Sequence, residues 1–368
     1  MPQDEGRHAR PRRAHALLWT VVATVGLLVI AGGIYAVAAN RDRVLLTLLG
    51  PGNTQTEAHS SPLPSADPSC RPSAKLVPPC GAWWGMYVPP AAGGSLRTAV
   101  LDMEQRIGRK LDLLFTYHDM SSGTTGNFLR DDEPELGEDR LLLLGWESSV
   151  WGRNTQIEWG EIASGALDGL IDAQARRVRD YGKPVFVGFD GEKDNDDGSS
   201  GTPEQYVAAY KRIVDRFRAA GADNAVWVWG VTGYYPYRDR WKPLYPGHDY
   251  VDWISYDPYN FARCRNAPWQ DFEQTVKPTY DWFQANGFAE KPLMIAEYGS
   301  ESDPRDPAAR ANWYRDIPQV LKRLPNIKAV MQWNSKDPDG CDFTLTGDGV
   351  LEAYAEAGRD PYVRQPLR

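Results

Sequence analysis

The chain has 368 residues, 42% hydrophobic and 24% charged, which is enough to bury a large core. Its formal net charge of −8 leaves no basic face for a nucleic-acid partner, so none is expected. Fourteen tryptophans and eighteen tyrosines offer flat apolar faces, suited to an aromatic core or to stacking on sugar rings.

In residues 1–15, Arg7, Arg10, Arg12 and Arg13 precede the uncharged, Leu/Val/Ala/Gly-rich run from Ala16 to Ala39. A helix over 16–39 is long enough to span a bilayer. Only Arg41 and Arg43 follow it closely, with Asp42 between them. This bias predicts a single-pass signal anchor in the cell membrane, with the N-terminus cytoplasmic and the bulk of the chain extracellular. The alternative is a signal peptide cut after the Ala36-Val37-Ala38 run, which would release a secreted protein. Residues 40–79 are rich in Pro, Ser and Thr and read as a linker, and residues 80–368 as one domain.

After Cys80, short apolar runs alternate with amphipathic stretches. The predicted strands are Ala82–Val88, Leu111–Tyr117, Arg140–Gly145, Pro184–Phe189, Ala225–Trp229, Val251–Tyr256, Pro292–Ala296 and Ala329–Trp333. The predicted helices are Leu96–Ile107, Ile162–Tyr181, Phe272–Asn286, Pro307–Leu324 and Leu351–Ala357, with one more opening at Thr202-Pro203-Glu204-Gln205. That last motif places a Thr N-cap before a first-turn Pro, with Gln three residues on. Eight strands alternating with helices predict an α/β fold, a single (β/α)8 TIM barrel behind the N-terminal transmembrane helix and the Pro/Ser-rich linker. A doubly wound sheet is the alternative, but no Gly-rich phosphate turn follows the first strand.

Export is consistent with four cysteines. Three pairings exist; the preferred one joins Cys70 to Cys80 and Cys264 to Cys341, clipping two neighbouring loops. The cysteine spacing and five scattered histidines give no metal signature, and no metal or cofactor is expected.

Two carboxylates carry the chemistry. Glu192 follows the strand that opens at Lys183-Pro184, and Glu297 follows the one that opens at Lys291-Pro292. Acids at the C-terminal ends of two buried parallel strands sit where barrel active sites form, and a pair of them can cleave a glycosidic bond. Asp190 and Asp194 are rival partners for Glu297. Asn195, Asp197, Gly198 and Glu204 approach a calcium-loop pattern, but Lys193 takes the first ligand position, so the stretch reads as a solvated loop.

Several blocks resemble glycoside hydrolase family 26: Gly221–Trp229, Leu244–Asn260 with its Asp257-Pro258-Tyr259 turn, and Lys291–Ser300. The family holds mainly endo-acting mannanases, with some xylanases and mixed-linkage glucanases. The resemblance implies a retaining endo-β-glycosidase acting on a β-linked polysaccharide or oligosaccharide, mannan first. Glu297 would be nucleophile, Glu192 acid/base, and Tyr259 the group that orients Glu297. Trp333 would floor a sugar subsite, and Trp84, His118 and Trp146, at or near strand ends, would be further substrate contacts. Trp227 and Trp253, inside strands, are expected in the core. The family's His before the acid/base and Asn two residues after it are here Gly191 and Asp194. This departure leaves a catalytically impaired carbohydrate-binding barrel at the cell surface as the alternative function.

Overall fold

The computed structural model describes residues 68–338 and 340–367. The predicted cytoplasmic tail, the membrane span and most of the linker lie outside the described residues. Among the described residues, no helix is long and apolar enough to cross a membrane.

Eight parallel strands form the centre: β1 Trp83–Tyr87, β2 Leu113–Asp119, β3 Leu141–Glu147, β4 Val185–Phe189, β5 Ala225–Val231, β6 Trp253–Tyr256, β7 Leu293–Ser300 and β8 Ile327–Trp333. Each pairs with its successor, and β1 pairs with β8 with Trp83 opposite Ala329, so the sheet closes into a barrel with no free edge. All eight match predicted strands within a few residues.

Because a barrel strand is buried on both faces, side chains along it alternate between two cores. On β2, Leu113 and Phe115 fill the barrel interior with Phe186, Trp253 and Met331, while Leu114 faces the helices. Trp227 and Trp253 are both buried, Trp227 under the helices and Trp253 inside the barrel. At Gly145 a Cβ would stand 2.6 Å from the Phe115 ring, so only glycine lets that ring lie across β3.

Helices cover the outside. The one over Pro203–Ala219 has the expected capping box, with Gln205 N donating to Thr202 and the Gln205 side chain accepting from Thr202 N. The stretch predicted as one helix over Ile162–Tyr181 is two, broken at Gly165 in left-handed backbone. That over Pro307–Leu324 also divides, into Ala309–Arg315 and Ile317–Arg323, with Pro318 in the first turn of the second.

The domain does not begin at Cys80. Leu76 is buried in the barrel interior, its carbonyl accepts from Trp83 Nε1 at 2.8 Å, and the Lys75 carbonyl accepts from Trp253 Nε1 at 2.7 Å. Residues 73–77 therefore plug the N-terminal mouth, and the linker expectation is corrected for them: two indole N–H groups needed acceptors that this segment supplies. Both preferred disulfides are present, Cys70–Cys80 and Cys264–Cys341.

Candidate active site

The loop after β4 is held so that one residue faces the cleft. Asp190 turns the chain with φ +43°, and its carboxylate is gripped by Ser148 N at 2.7 Å, by Ser148 Oγ and by Trp159 Nε1 at 2.6 Å. Three residues on, Lys193 buries its ammonium 4.2 Å over the Trp229 ring and 5.1 Å over that of Tyr206. Asp194 is buried and accepts from Thr232 N at 2.8 Å, Thr232 Oγ1 at 2.7 Å and Trp241 Nε1 at 2.8 Å. Both rival acids are thus consumed in anchoring the loop. Glu192 keeps contact with solvent in the cleft.

Glu297 comes from β7 by a different route. The β7–β8 pairing loses register between Ile295 and Tyr298, and across this irregularity both Ala296 and Glu297 line the cleft. Tyr259 donates to Oε2 of Glu297 at 2.7 Å, and Tyr117, at the end of β2, donates to Oε1 at 2.5 Å. Trp333 Nε1 in turn donates to the Tyr117 oxygen at 3.1 Å, and its ring stacks on Tyr87 at 5.9 Å. Burial and the Glu297 charge push both phenols well above their ordinary value, so they remain donors.

Glu192 and Glu297 line one cavity of about 370 Å³ together with Glu147, Asp257 and Gly230. Although Glu192 meets solvent, protein fills most of the space around its carboxyl. That desolvation, then the charges of Glu297 and Asp194, push it up to about 8. Glu297 is also raised by burial, but the two tyrosine hydrogen bonds oppose the rise. Of the two, Glu192 is therefore the one pushed further toward its protonated form, while the tyrosines favour the charged form of Glu297. Buried Asp257 is held well above the carboxylate range by burial and by both glutamates.

Three expected sugar contacts are corrected. Trp84 is fully buried between β1 and the helices against Tyr354. His118 is fully buried, bonded to Thr116 and Glu133 and packed on Phe128. The Trp146 ring packs on Phe128 and Phe217, and its Nε1 donates to the Asp119 carbonyl, so it backs the cavity instead of offering a face to it. Each has the outward parity of its strand. Inward parity picks out Tyr117, which the sequence reading missed although Leu113, Phe115 and Tyr117 alternate in plain view. Trp333 has inward parity, is half-buried and adjoins Tyr117. Among the described residues, Cys264, Glu301 and Cys341 alone cluster like metal ligands, and both sulfurs are already bonded to each other. In the calcium-like loop, Asp196 accepts from Gly198 N and Ser200, closing a turn.

A closed parallel barrel with two carboxylates facing one cleft at its C-terminal face, one of them held by two tyrosines, defines a (β/α)8 glycoside hydrolase. Residues 188–332 match the sequence model described as Glycosyl hydrolase family 26. Endoglucanase H of Acetivibrio thermocellus is 30% identical over 296 residues, covering 75% of this chain; the chain spans 30% of that relative's length. A GH26 β-mannanase from Bacteroides ovatus superposes with a TM-score of 0.57 at 15% identity, covering 79% of this chain and 92% of that one. The GH26 domain of a Prevotella bryantii endo-β-mannanase/endo-β-glucanase gives 0.53 at 14%, covering 78% and 92%. These two likenesses carry the fold alone. The chain belongs to glycoside hydrolase family 26.

Proposed function

We propose that the protein is a retaining endo-β-glycosidase. One observation carries this reading: Glu297 is held at both oxygens by tyrosines in the cavity that Glu192 also lines. Glu297 attacks the anomeric carbon as the bond to the leaving oxygen breaks, and Glu192 passes its proton to that oxygen. Water then attacks the glycosyl ester, gives its proton to Glu192 and frees Glu297.

A β-glucan is the first substrate to offer, since the 30%-identical relative is named an endoglucanase. Mannan, favoured by the sequence reading, becomes the second. The test is reducing-sugar release from a panel of β-glycans, with the anomer of the product followed by NMR. Turnover with retained configuration, lost in Glu297→Gln and Glu192→Gln, supports the reading. Glycan binding without turnover would instead establish the impaired, carbohydrate-binding barrel.

The barrel is proposed to face outward from the cell membrane on the predicted 16–39 anchor. Two disulfides support an oxidising compartment. Proteolysis of intact cells that left the domain untouched would overturn this placement.

A further inference from the structure

Six residues lining the catalytic cavity carry carboxyls, Glu147, Asp190, Glu192, Asp196, Asp257 and Glu297, and among the lining residues Lys193 alone is cationic. It directly follows Glu192 and takes no part in the double displacement described above. A surface lysine keeps its ammonium in water. Lys193 is 5% exposed, and its Nζ has no hydrogen-bond partner among the described residues. An ammonium so desolvated is costly unless other groups compensate its charge.

Two aromatic faces do so, and both are fixed in place. Trp229, its ring centre 4.2 Å from Nζ, donates from Nε1 to the Leu244 carbonyl at 3.0 Å. Tyr206, its ring centre at 5.1 Å, donates to the Phe189 carbonyl at 3.1 Å. A cation over rings shielded from water gains more than it would at an exposed site. Burial still pulls the ammonium down to about 7, while the charges of Asp194, Asp190 and Asp257 resist that fall.

The cation completes a three-point hold on the loop. Asp190 anchors the chain two residues before Glu192, and Lys193 and Asp194 anchor it directly after. The turn Lys193–Asn195 passes this hold to Glu192, whose carbonyl accepts from Asn195 N at 2.9 Å. Arg240 ties the Asp194 carbonyl at 2.8 Å. Without the ammonium, the buried carboxylates of Asp190 and Asp194 would flank Glu192 lacking that countercharge. A displacement of about 1 Å in a reacting group costs on the order of 100-fold in rate. We propose, resting on the function inferred above, that Lys193 is a positioning residue: its ammonium, clamped over Trp229 and Tyr206, sets the Glu192 carboxyl where it protonates the leaving oxygen.

The test compares phenyl and 2,4-dinitrophenyl glycosides of β-cellobiose and β-mannobiose at about pH 6, where Glu192 is protonated and Lys193 charged. A departing phenolate needs a proton and a dinitrophenolate does not, and kcat/KM reports the bond-breaking step for both. Lys193→Met keeps the apolar stem and removes the charge. It should lower kcat/KM about tenfold or more on the phenyl glycoside and less than about threefold on the dinitrophenyl one. An equal loss on both, or no loss, would overturn the assignment. Melting temperatures read the clamp without turnover. Lys193→Met should shift the Tm differently in the native chain and in Asp194→Asn, because removing either charge leaves the other uncompensated. Equal shifts reject the clamp. Unequal shifts in a protein that cleaves none of the glycosides would support the clamp and overturn the glycosidase reading instead.

Discussion

The Tyr259 phenol meets Glu297 Oε2 at 2.7 Å because the chain after β6 runs parallel to the end of β7, with Tyr259 opposite Gly299 and Asn260 opposite Ser300. The partner of Glu297 is thus set by backbone pairing and not by a flexible loop.

Removing either phenol should weaken the charged form of Glu297. A hydrogen bond to a charged group contributes about 1.5–3 kcal/mol, so Tyr259→Phe and Tyr117→Phe should each lower kcat/KM by roughly 10- to 100-fold. Each lost bond lets burial raise the Glu297 pKa further, so the acid limb of the pH–rate profile should move to higher pH. An unmoved limb with lowered rate would assign the tyrosines to substrate instead.

The basic limb should fall near pH 8, where Glu192 loses its proton. The same shift bears on stability. A carboxyl with a folded pKa above its unfolded value is progressively costly as pH rises from the unfolded to the folded value. Stability from Glu192 is therefore full below about pH 4.5 and declines toward pH 8. Glu192→Gln should raise the Tm more at pH 7 than at pH 4, measured by calorimetry at both.

Gly191 precedes Glu192, where the family resemblance leads one to expect histidine, and a Cβ there would meet nothing within 4 Å. Gly191→His should therefore fold with an unchanged Tm. By contrast, a Cβ at Gly230 would lie 2.7 Å from Ser255 Oγ and 3.1 Å from the Gly191 carbonyl. Gly230→Ala should push the Glu192 loop outward and cost activity more than stability. Kinetics and melting curves of both variants check this contrast.

The two disulfides should differ in effect. On chain entropy alone, the bridge separated by 77 residues contributes about 4 kcal/mol and that separated by 10 about 3. Cys264→Ser with Cys341→Ser should also reduce activity, because Phe343, two residues after Cys341, packs 4.6 Å from the Tyr259 ring. Cys70→Ser with Cys80→Ser should leave turnover intact, since that bridge ties the N-terminal segment. Urea denaturation and steady-state rates separate the two.

The chain by itself determined the eight-stranded alternation, the capped helix at Thr202 and the placing of Glu192 just after β4 and of Glu297 in the C-terminal half of β7, because apolar runs, caps and turns are local patterns. Tertiary structure decided which neighbour faces the cleft. Barrel strands are apolar on both sides, so hydrophobicity does not distinguish Tyr117 from His118, or Trp83 from Trp84. It decided the β7 register irregularity that brings Glu297 to the cleft, since strict alternation would send Glu297 out with Ile295. It also decided that residues 73–77 close the barrel floor, a contact between segments as distant as Lys75 and Trp253 that no local pattern encodes.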